Sequence, residues 1–316
     1  MADIIRVEEL SKRYGKFVAL GNISFALPFG RIIGLIGPNG AGKTSLLKIL
    51  SGLMSATSGQ VSICGVDLVE NPALAKEKIS FMPETNPLPD HMRVGEYLRF
   101  RATLRGIKNV RLCVEKVMRK CDLYYNARYR IIKNLSKGYR QRVGIADALL
   151  GDSELIILDE PTIGLDPKQI ILIRQTLLEL RGSRTLLISS HILSELETIC
   201  DYFIIINCGE IVAMGSLADI YKSKFDSNVM HIDLSPSGIT DEAVASFLGE
   251  NRLVRLSASH GKICENLRIE FRFDGHCAGE IIKSAVDHFG ENLLSIGRES
   301  SSLEEIFLST TRRYGD

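Results

Sequence analysis

The chain has 316 residues, of which 45% are hydrophobic and 24% are charged, and its formal net charge at pH 7 is +1. These values are ordinary for a globular protein of about two domains, at ~100–200 residues a domain. The near-zero charge excludes a global electrostatic attraction to nucleic acid, so no nucleic-acid partner is expected. The seven cysteines are scattered without a C-x-x-C pair. This predicts reduced, mostly buried thiols and argues against a zinc site.

The N-terminal stretch MADIIRVEELSKRYG carries acidic residues early and lacks a long apolar segment. It therefore does not predict a signal peptide. No uninterrupted apolar run approaches the ~18 residues that a membrane-spanning helix requires. We expect that any function at a membrane needs another subunit to span it.

Strands come first along the chain. The segments IIRVEEL and KFVALGNISFAL alternate in polarity and contain β-branched and aromatic residues, which is typical of strands. The segment GRIIGLIG predicts a short buried strand, and TSLLKILSGL predicts a helix that ends near Gly52. These segments give a strand, a glycine-rich loop and a helix in that order.

The middle of the chain, roughly residues 94–150, predicts helices. The segments VGEYLRFRATLRG and NVRLCVEKVMRKCDL place apolar residues three and four positions apart. The segments ELIILDEP and RTLLISSH then predict buried strands, and YFIIIN with EIVAMG predicts a closing hairpin. Buried apolar strands that alternate with helices favour a largely parallel α/β sheet.

The character of the sequence changes between Ser216 and Asp226. The remainder predicts strand, helix, strand, strand, helix and strand, followed by a last helix at SLEEIFLST. This is the ferredoxin-like order with one helix added. We therefore expect one domain over residues 1–217 and an accessory domain over residues 218–316.

A phosphate-binding loop is predicted at residues 37–44, where GPNGAGKT matches G-x-x-x-x-G-K-[ST] between the predicted strand and helix. Glycines let backbone N–H groups turn toward phosphates, and the helix N-terminus attracts the same anion. Such a loop predicts that Lys43 reaches the β- and γ-phosphates and that the Thr44 hydroxyl binds Mg²⁺. The flanking strand and helix disfavour the alternative, a structural turn with an incidental lysine.

Asp159 and Glu160 follow a buried strand at its carboxyl end, where ligands bind in open α/β sheets. Asp159 has the usual place of a residue that holds Mg²⁺, and Glu160 is free to orient or deprotonate an attacking water. The alternative is a strand-end pair in a turn or cap. His191 ends another apolar strand at the same crevice, where it could sense the γ-phosphate. A lone histidine is otherwise a surface or core residue.

These motifs together resemble the nucleotide-binding subunit of ABC transporters over about residues 4–216. The resemblance is carried, in family order, by RYGKFVAL, GPNGAGKT, FMPE, LSKGYRQR, LIILDEP, TIGLD and SSH. It implies an α/β P-loop NTPase (ABC ATPase) core whose helical subdomain lies at about residues 88–150. The C-terminal segment, predicted as a small α+β ferredoxin-like domain, is similar to tails in one branch of this family. Its expected role is packing or dimer stabilisation, with ligand sensing as the alternative.

The resemblance implies roles for the matching positions. Glu160, His191 and Lys43 would be catalytic. Tyr14 would stack on adenine, and Asp166 of the GLD motif would communicate across a dimer. ATP would be bound by Tyr14, Gly37, Pro38, Asn39, Gly40, Ala41, Gly42, Lys43, Thr44, Ser45, Ser136, Gly138 and Asp166. Mg²⁺ would be bound by Thr44, Asp159 and Glu84.

The segment LSKGYRQR, residues 135–142, matches the family signature that is usually written LSGGQ. In the family this segment of one subunit caps the γ-phosphate of ATP held by the other, which implies a head-to-tail homodimer with two ATP. Ser136 offers a hydroxyl, Gly138 allows close approach, and a helix that begins here directs N–H groups at an anion. Lys137 and Tyr139 depart from the usual Gly and Gln.

Glu84, in FMPETNP, is a second departure, because many family members have Gln there. A carboxylate is a hard oxygen ligand that can approach Mg²⁺, although it adds negative charge near phosphates. Both departures resemble the exporter-type branch, whose ATPases serve separately encoded permeases. Within that branch, LSKGYRQRVGIA and SSHILSELETICD are most similar to gliding-motility-associated ATPases.

The resemblance implies an ATPase that powers an integral membrane permease, in the export direction, from the cytoplasmic face of the cell membrane. Residues 87–98 would contact the permease. One alternative is a soluble ABC ATPase without a permease, such as a translation factor or a cluster-assembly ATPase. The single cassette disfavours the translation factor. Another is a non-hydrolytic binding module, which the intact Lys43, Asp159, Glu160 and His191 disfavour.

Overall fold

The computed structural model describes residues 3–224, 229–235, 240–251, 253–260, 267–273, 278–298, 303–304 and 307. The chain divides into two compact units. The first is formed by the residues up to Ile220 together with those from Leu303 on, and the second by residues 221–302.

This division differs from the predicted one at both ends of the accessory domain. The first unit ends at Ile220 rather than at residue 217, and the residues from Leu303 on belong to the first unit rather than to the second. The physical reason for the second difference is that Leu303 is fully buried and its backbone N–H donates to the Glu197 carboxylate at 3.2 Å.

The described strands of the first unit form two sheets. They are β1 (Asp3–Tyr14), β2 (Phe17–Pro28), β3 (Ile32–Ile36), β4 (Ser58–Ile63), β5 (Val66–Asp67), β6 (Ile79–Met82), β7 (Leu155–Asp159), β8 (Thr185–Ser189), β9 (Tyr202–Asn207) and β10 (Glu210–Gly215). One sheet is antiparallel with the order β2–β1–β4–β5, and the other has the order β10–β9–β3–β8–β7–β6. In the six-stranded sheet only β10 is antiparallel to its neighbour. The predicted largely parallel α/β sheet is confirmed.

The centre of the six-stranded sheet consists of strands that are buried along their whole length. Every residue of β3, β7 and β8 is buried. Near-continuous apolar runs are typical of parallel strands that are covered on both faces. Because these strands are parallel, their carboxyl ends lie at one edge of the sheet, and the segments that follow them form the site described below.

The helices of the first unit connect these strands. They are α1 (Lys43–Leu50), α2 (Pro72–Glu77), α3 (Val94–Leu104), α4 (Val110–Lys120), α5 (Lys137–Ala148), α6 (Pro167–Leu178), α7 (Leu193–Ile199) and α8 (Leu217–Lys224), the last of which extends past the unit boundary. Side chains cap several of them. The Ser136 hydroxyl accepts the N–H of Tyr139 at the start of α5, and the Asp166 carboxylate accepts the N–H of Gln169 at the start of α6. Each cap satisfies a backbone donor that has no partner within its helix.

Helices α3, α4 and α5 of the helical subdomain pack against one another, and a buried carboxylate of α5 binds α3. Asp147 of α5 accepts hydrogen bonds from the Tyr97 hydroxyl at 2.9 Å, from Arg101 Nε at 3.0 and 3.1 Å, and from Arg105 Nη2 at 3.2 Å. The three donors belong to α3 or its C-cap and are spaced four residues apart, so they lie on one helix face. Arg105 also donates to the Ser80 hydroxyl of β6, which joins the subdomain to the sheet.

Replacing Asp147 with Ala is expected to destabilise the first unit, because two guanidinium groups lose their counter-charge and three donors lose an acceptor. Hydrogen bonds to charged groups contribute about 1.5–3 kcal/mol. Urea unfolding followed by circular dichroism measures the change. The matched control is Asp90→Ala, since Asp90 forms an ion pair with Arg140 but is exposed. An Asp147→Ala protein that unfolds at the same urea concentration as the control would contradict the prediction.

The second unit has the predicted ferredoxin-like order. Its elements are β11 (Val229–Leu234), α9 (Asp241–Glu250), β12 (Leu253–His260), β13 (Leu267–Phe273), α10 (Ala278–Phe289) and β14 (Leu293–Arg298). The sheet is antiparallel with the order β12–β13–β11–β14. Alternate residues of β11 face the core, in which Phe247 of α9 and Phe289 of α10 contact each other. Of the helix predicted at SLEEIFLST, most residues lie outside the described chain.

None of the described helices has both the length and the apolar composition needed to cross a membrane. The described cysteines carry free thiols, with Cys121 and Cys200 buried and Cys208 exposed. Burial raises the pKa of the Cys121 thiol to about 12. The remaining two cysteines, Cys264 and Cys277, lie outside the described residues.

Candidate nucleotide-binding site

The predicted phosphate loop lies between β3 and α1, and its shape depends on glycine. Gly40 and Gly42 have φ angles of 81° and 105°, which L-residues with side chains rarely adopt. A Cβ atom on Gly42 would lie 2.5 Å from the carbonyl oxygen of Ala19, and one on Gly37 would lie 2.3 Å from that of Ile206. Close packing therefore requires glycine at positions 37 and 42, and the backbone conformation favours it at position 40.

Lys43 is the first residue of α1 and extends back over the loop. Its ammonium group donates to the carbonyl oxygens of Gly37 at 2.6 Å and Pro38 at 3.0 Å. Burial lowers the pKa of Lys43, while the carboxylates of Glu160 and Asp159 act in the opposite direction. The ammonium group thus lies near both carboxylates and beside the backbone carbonyl groups of the phosphate loop.

Asp159 ends β7 and is paired in register with Ser189, the last residue of β8. The Ser189 hydroxyl donates to Asp159 Oδ1 at 2.5 Å and accepts the backbone N–H of Glu160 at 3.1 Å. Burial raises the pKa of Asp159, and the hydrogen bond from Ser189 opposes that change. Ser189 therefore fixes both the orientation of the Asp159 carboxylate and the position of the Glu160 backbone.

Glu160 has an unusual backbone conformation for a residue with a side chain, with a φ of 52°. Its N–H donates to Ser189, and its carbonyl oxygen accepts the side-chain N–H of Gln141 at 2.8 Å. Its carboxylate Oε2 lies 2.7 Å from Nδ1 of His191. The positive φ turns the chain at the strand end, so that the Glu160 side chain enters the crevice.

A cavity of about 500 Å³ brings most of the predicted residues together, and its volume is in the range of ligand sites. The predicted residues that line it are Tyr14, Asn39, Gly40, Gly42, Lys43, Thr44, Ser45, Glu84, Asp159, Glu160 and His191. Gly37 and Pro38 contribute through the carbonyl groups that hold Lys43, and Ala41 is a buried residue of the loop itself.

Aromatic side chains form one wall of this cavity. The Tyr14 hydroxyl lies 3.3 Å from the hydroxyl of Ser45 and 2.9 Å from the sulfur of Met54. Phe17, which sequence analysis missed, also lines the cavity and is 60% exposed. An exposed aromatic face beside a phosphate loop fits the base of a nucleotide. Phe17 stands in the quoted motif RYGKFVAL, so its aromatic character was a signal that could have found it.

Ser136, Gly138 and Asp166 do not line this cavity. The Ser136 hydroxyl caps α5, and a Cβ atom on Gly138 would lie 2.9 Å from the carbonyl oxygen of Gly164. Asp166 caps α6. Within a single chain the structure thus keeps the signature residues apart from the phosphate loop.

The two departures in the signature have different environments. The side chain of Lys137 is exposed and lies close to Gly164 of the GLD motif. Tyr139 is half-buried, and the guanidinium of Arg142 lies 4.3 Å from its ring centroid. Tyr139 is therefore fixed by packing within its own chain, whereas Lys137 remains accessible.

Gln141 is a further residue that the sequence does not single out. It is buried in α5, donates to the carbonyl oxygen of Glu160 and accepts the side-chain N–H of Asn86 at 3.2 Å. Asn86 packs so closely on Gly144 that a Cβ atom there would lie 2.4 Å from its Oδ1. Gln141 therefore links the loop after β6 to the backbone of Glu160.

The donor set fits a polyphosphate. Backbone N–H groups at the start of α1, the Lys43 ammonium and the hydroxyls of Thr44 and Ser45 surround the glycine cradle. The fold and this site define a phosphate-loop nucleotide-binding protein.

Comparisons with known proteins identify the family. The ABC transporter family matches residues 20–163. The linearmycin resistance ATP-binding protein LnrL of Bacillus subtilis is 31% identical over 98% of this chain and 99% of its own. The bacitracin transport ATP-binding protein BcrA of Enterococcus faecalis is 36% identical over 70% of this chain and 72% of its own.

Solved structures agree with this assignment. The ATP-binding subunit of an ABC transporter superposes with a TM-score of 0.65 at 31% identity, covering 70% of this chain and 92% of that one. A dimeric ATP-binding cassette bound to ADP and Pi shares the fold, with a TM-score of 0.62 at 23% identity, over 67% of this chain and 98% of that one. The chain belongs to the ATP-binding subunits of ABC transporters. It is an ATPase, and such subunits dimerise and work with membrane permeases.

Replacing Gln141 with Ala is expected to lower kcat roughly tenfold with little change in ATP affinity, because Glu160 loses one of the bonds that hold its backbone. Steady-state phosphate release and equilibrium binding of a fluorescent ATP analogue separate the two effects. Gln141→Glu should lower kcat to a similar extent, since a carboxylate cannot donate a hydrogen bond to the Glu160 carbonyl group. Gln175→Ala, an exposed glutamine of α6, is the matched control. Normal turnover in both Gln141 variants would show that this bond does not position Glu160.

Proposed function

We propose that the chain hydrolyses Mg²⁺-bound ATP within a head-to-tail homodimer and thereby drives a separately encoded exporter-type permease. The observation that carries the proposal is the meeting of Lys43, Asp159, Glu160 and His191 at one cavity beside the phosphate loop. The names of two relatives, which refer to antibiotic transport and resistance, support the exporter assignment.

Oxygen donors at the cavity fit a magnesium ion. Asp159, Thr44 and Glu84 line the same space, and Mg²⁺ is usually held by one or two protein ligands together with phosphates and waters. Among the described residues, no group of three or more His, Cys, Asp or Glu side chains is placed to hold a metal ion. When bound, Mg²⁺ would neutralise charge on the phosphates.

The catalytic role proposed for Glu160 follows from how it is held. Its backbone is fixed by Ser189 and Gln141, and its carboxylate is oriented by Nδ1 of His191. A carboxylate held in this way can orient a water molecule and accept its proton. The other ring nitrogen of His191 is available to a phosphate oxygen, and the Lys43 ammonium retains a third donor for the phosphates.

The positions of Ser136 and Gly138 support the proposed dimer. Both lie outside the cavity of their own chain, at the start of α5, where Ser136 is exposed. A helix N-terminus favours an anion. We propose that this anion is the γ-phosphate of ATP held by the second subunit, with Asp166 near the contact between subunits.

Bonds within the chain suggest how the permease is coupled to the site. Residues 87–98, the proposed permease contact, are joined to α5 by the ion pair between Asp90 and Arg140 at 2.8 Å. Asn86, which precedes them, reaches Glu160 through Gln141. A partner that moves this segment would therefore also shift Glu160, the proposed catalytic acid. The subunit would work on the cytoplasmic face of the cell membrane.

The narrower likeness to gliding-motility-associated ATPases is carried by LSKGYRQRVGIA and SSHILSELETICD alone. Nod factor export ATP-binding protein I of Cupriavidus metallidurans is 31% identical over 73% of this chain and 77% of its own, and a relative of such a name supports export in general. We therefore propose an exporter function and assign no role in gliding.

Glu160→Gln is expected to bind ATP and to accumulate as an ATP-loaded dimer, because losing the proposed base slows hydrolysis by about 10²–10⁴-fold. Size-exclusion chromatography with light scattering, with ATP in the buffer, measures the dimer. Lys43→Ala should remain monomeric, since it loses the phosphate contact, and Glu210→Gln, at an exposed position, should hydrolyse ATP normally. If Glu160→Gln turns over at the normal rate, another group is the base.

The tagged chain, expressed in its native cells, is expected to co-purify from detergent-solubilised membranes with a polytopic membrane protein. Charge reversal at Asp90, within the proposed contact segment, should weaken that recovery. Reversal at Asp152, an exposed acid elsewhere, should leave it intact. Recovery with ribosomes and without any membrane protein would favour the soluble alternative over the permease.

A further inference from the structure

The helical subdomain carries a charge that the rest of the chain does not share. Residues 88–150 contain fifteen Lys and Arg but five Asp and Glu, a formal charge of +10, whereas the whole chain has a charge of +1. The remainder is therefore at −9. Such a charge distribution orients a protein with this subdomain toward an anionic partner.

Three arginines of this subdomain converge on one small hollow. Arg99 of α3, Arg111 of α4 and Arg128 after α4 line it, together with Tyr124 and Glu115. Glu115 is the one carboxylate among the lining residues, and it is bonded to Arg119 at 2.8 and 3.2 Å. In the described part of the chain, the side chains of Arg99 and Arg111 form no hydrogen bond or ion pair. Cations gathered in this way favour an added anionic group.

Beside the hollow, tyrosine rings stack against the guanidinium groups of arginines. Arg119 lies 4.1 Å from the ring centroid of Tyr124, and Arg128 lies 5.0 and 5.1 Å from those of Tyr124 and Tyr129. Tyr125 and Tyr129 are 79% and 71% exposed. Stacking fixes Arg128 in place without neutralising it, whereas Arg119 is also paired with Glu115.

Apolar side chains are exposed on the same two helices. Phe100 and Leu104 are one turn apart on α3, and Leu112 follows Arg111 on α4, and all three are more than half exposed. Arginines next to exposed Phe and Leu are typical of surfaces that lie in a membrane interface, and tyrosine is favoured at the level of the lipid headgroups.

We propose that this surface, formed by Arg99, Phe100, Arg111, Leu112, Arg128 and Tyr129, binds the anionic phospholipid headgroups of a membrane. A phosphodiester is contacted by the arginine side chains at the rim of the hollow, whose free volume of about 20 Å³ is too small to enclose it, and the apolar side chains enter the adjacent interface. The apolar component favours lipid over nucleic acid, whose bases can stack on Phe100 but which offers no partner for the aliphatic Leu104 and Leu112. The proposal rests on the proposed function only in placing the chain at a membrane.

Vesicle flotation tests the proposal with the full-length chain and no permease. Wild type is expected to float with vesicles of phosphatidylcholine and phosphatidylglycerol, and not with phosphatidylcholine alone. Added salt should weaken the binding. The double variant Arg99→Glu/Arg111→Glu should bind roughly thirtyfold more weakly or worse, since each basic residue near an anionic surface contributes about 1 kcal/mol. Its ATP hydrolysis should be normal, because neither residue lines the nucleotide cavity.

The matched control is Lys76→Glu/Lys283→Glu, which changes the net charge equally at exposed positions outside the subdomain. It should float like wild type. The chain contains no tryptophan, so Tyr129→Trp gives a single reporter whose emission should shift to the blue on the anionic vesicles. Phe29→Trp, in the turn after β2, should not shift.

Three results would overturn the proposal. These are equal binding to neutral and anionic vesicles, equal loss in the two double variants, and binding of single-stranded RNA at salt concentrations that abolish vesicle binding. Because no permease is present, failure here leaves the proposed transport function intact. Failure to recover a permease would in turn leave the lipid result standing.

Discussion

The site depends on how Glu160 is held in a left-handed backbone conformation. A residue with a side chain adopts a φ of 52° only when its surroundings compensate for the strain. Here Ser189 accepts the Glu160 N–H, and Gln141 donates to its carbonyl group. The backbone of Glu160, the proposed catalytic acid, is thus fixed by a strand on one side and by the helix of the signature motif on the other.

Two kinds of structure meet at this acid. The parallel strands β3, β7 and β8 supply rigid ends, because their buried apolar runs allow little freedom of register. The helical subdomain supplies α5, whose position is set by the buried Asp147 and by Asp90 at its edge. The sheet carries the phosphate loop at its strand ends, and the helical subdomain reaches Glu160, the proposed water-activating group, through Gln141. This separation suits an ATPase that must respond to a partner.

Local motifs allowed the sequence to predict much of the site. The phosphate loop, the strand-end acids and the βαββαβ order are each encoded in contiguous segments, whose periodicity and glycines are visible without a fold. Ser189 and Gln141 escaped prediction because their roles depend on strand register and on helix packing. Serine at a strand end and glutamine within a helix carry no signal of their own. The membership of Leu303 in the first unit could not be predicted either, because it depends on burial in the folded chain. The ferredoxin-like pattern that precedes Leu303 gives no sign of that burial.

The place of Leu303 makes the second unit an insertion rather than a tail. The chain leaves the first unit after Ile220 and returns to it at Leu303. Within the inserted unit, the start of β11 pairs with the end of β14, with Met230 opposite Arg298, so the first and last strands of the module have neighbouring ends. A module whose ends are neighbours is readily gained, lost or exchanged without stretching the fold that hosts it. The ATPase can therefore keep its C-terminal anchor while the inserted module changes.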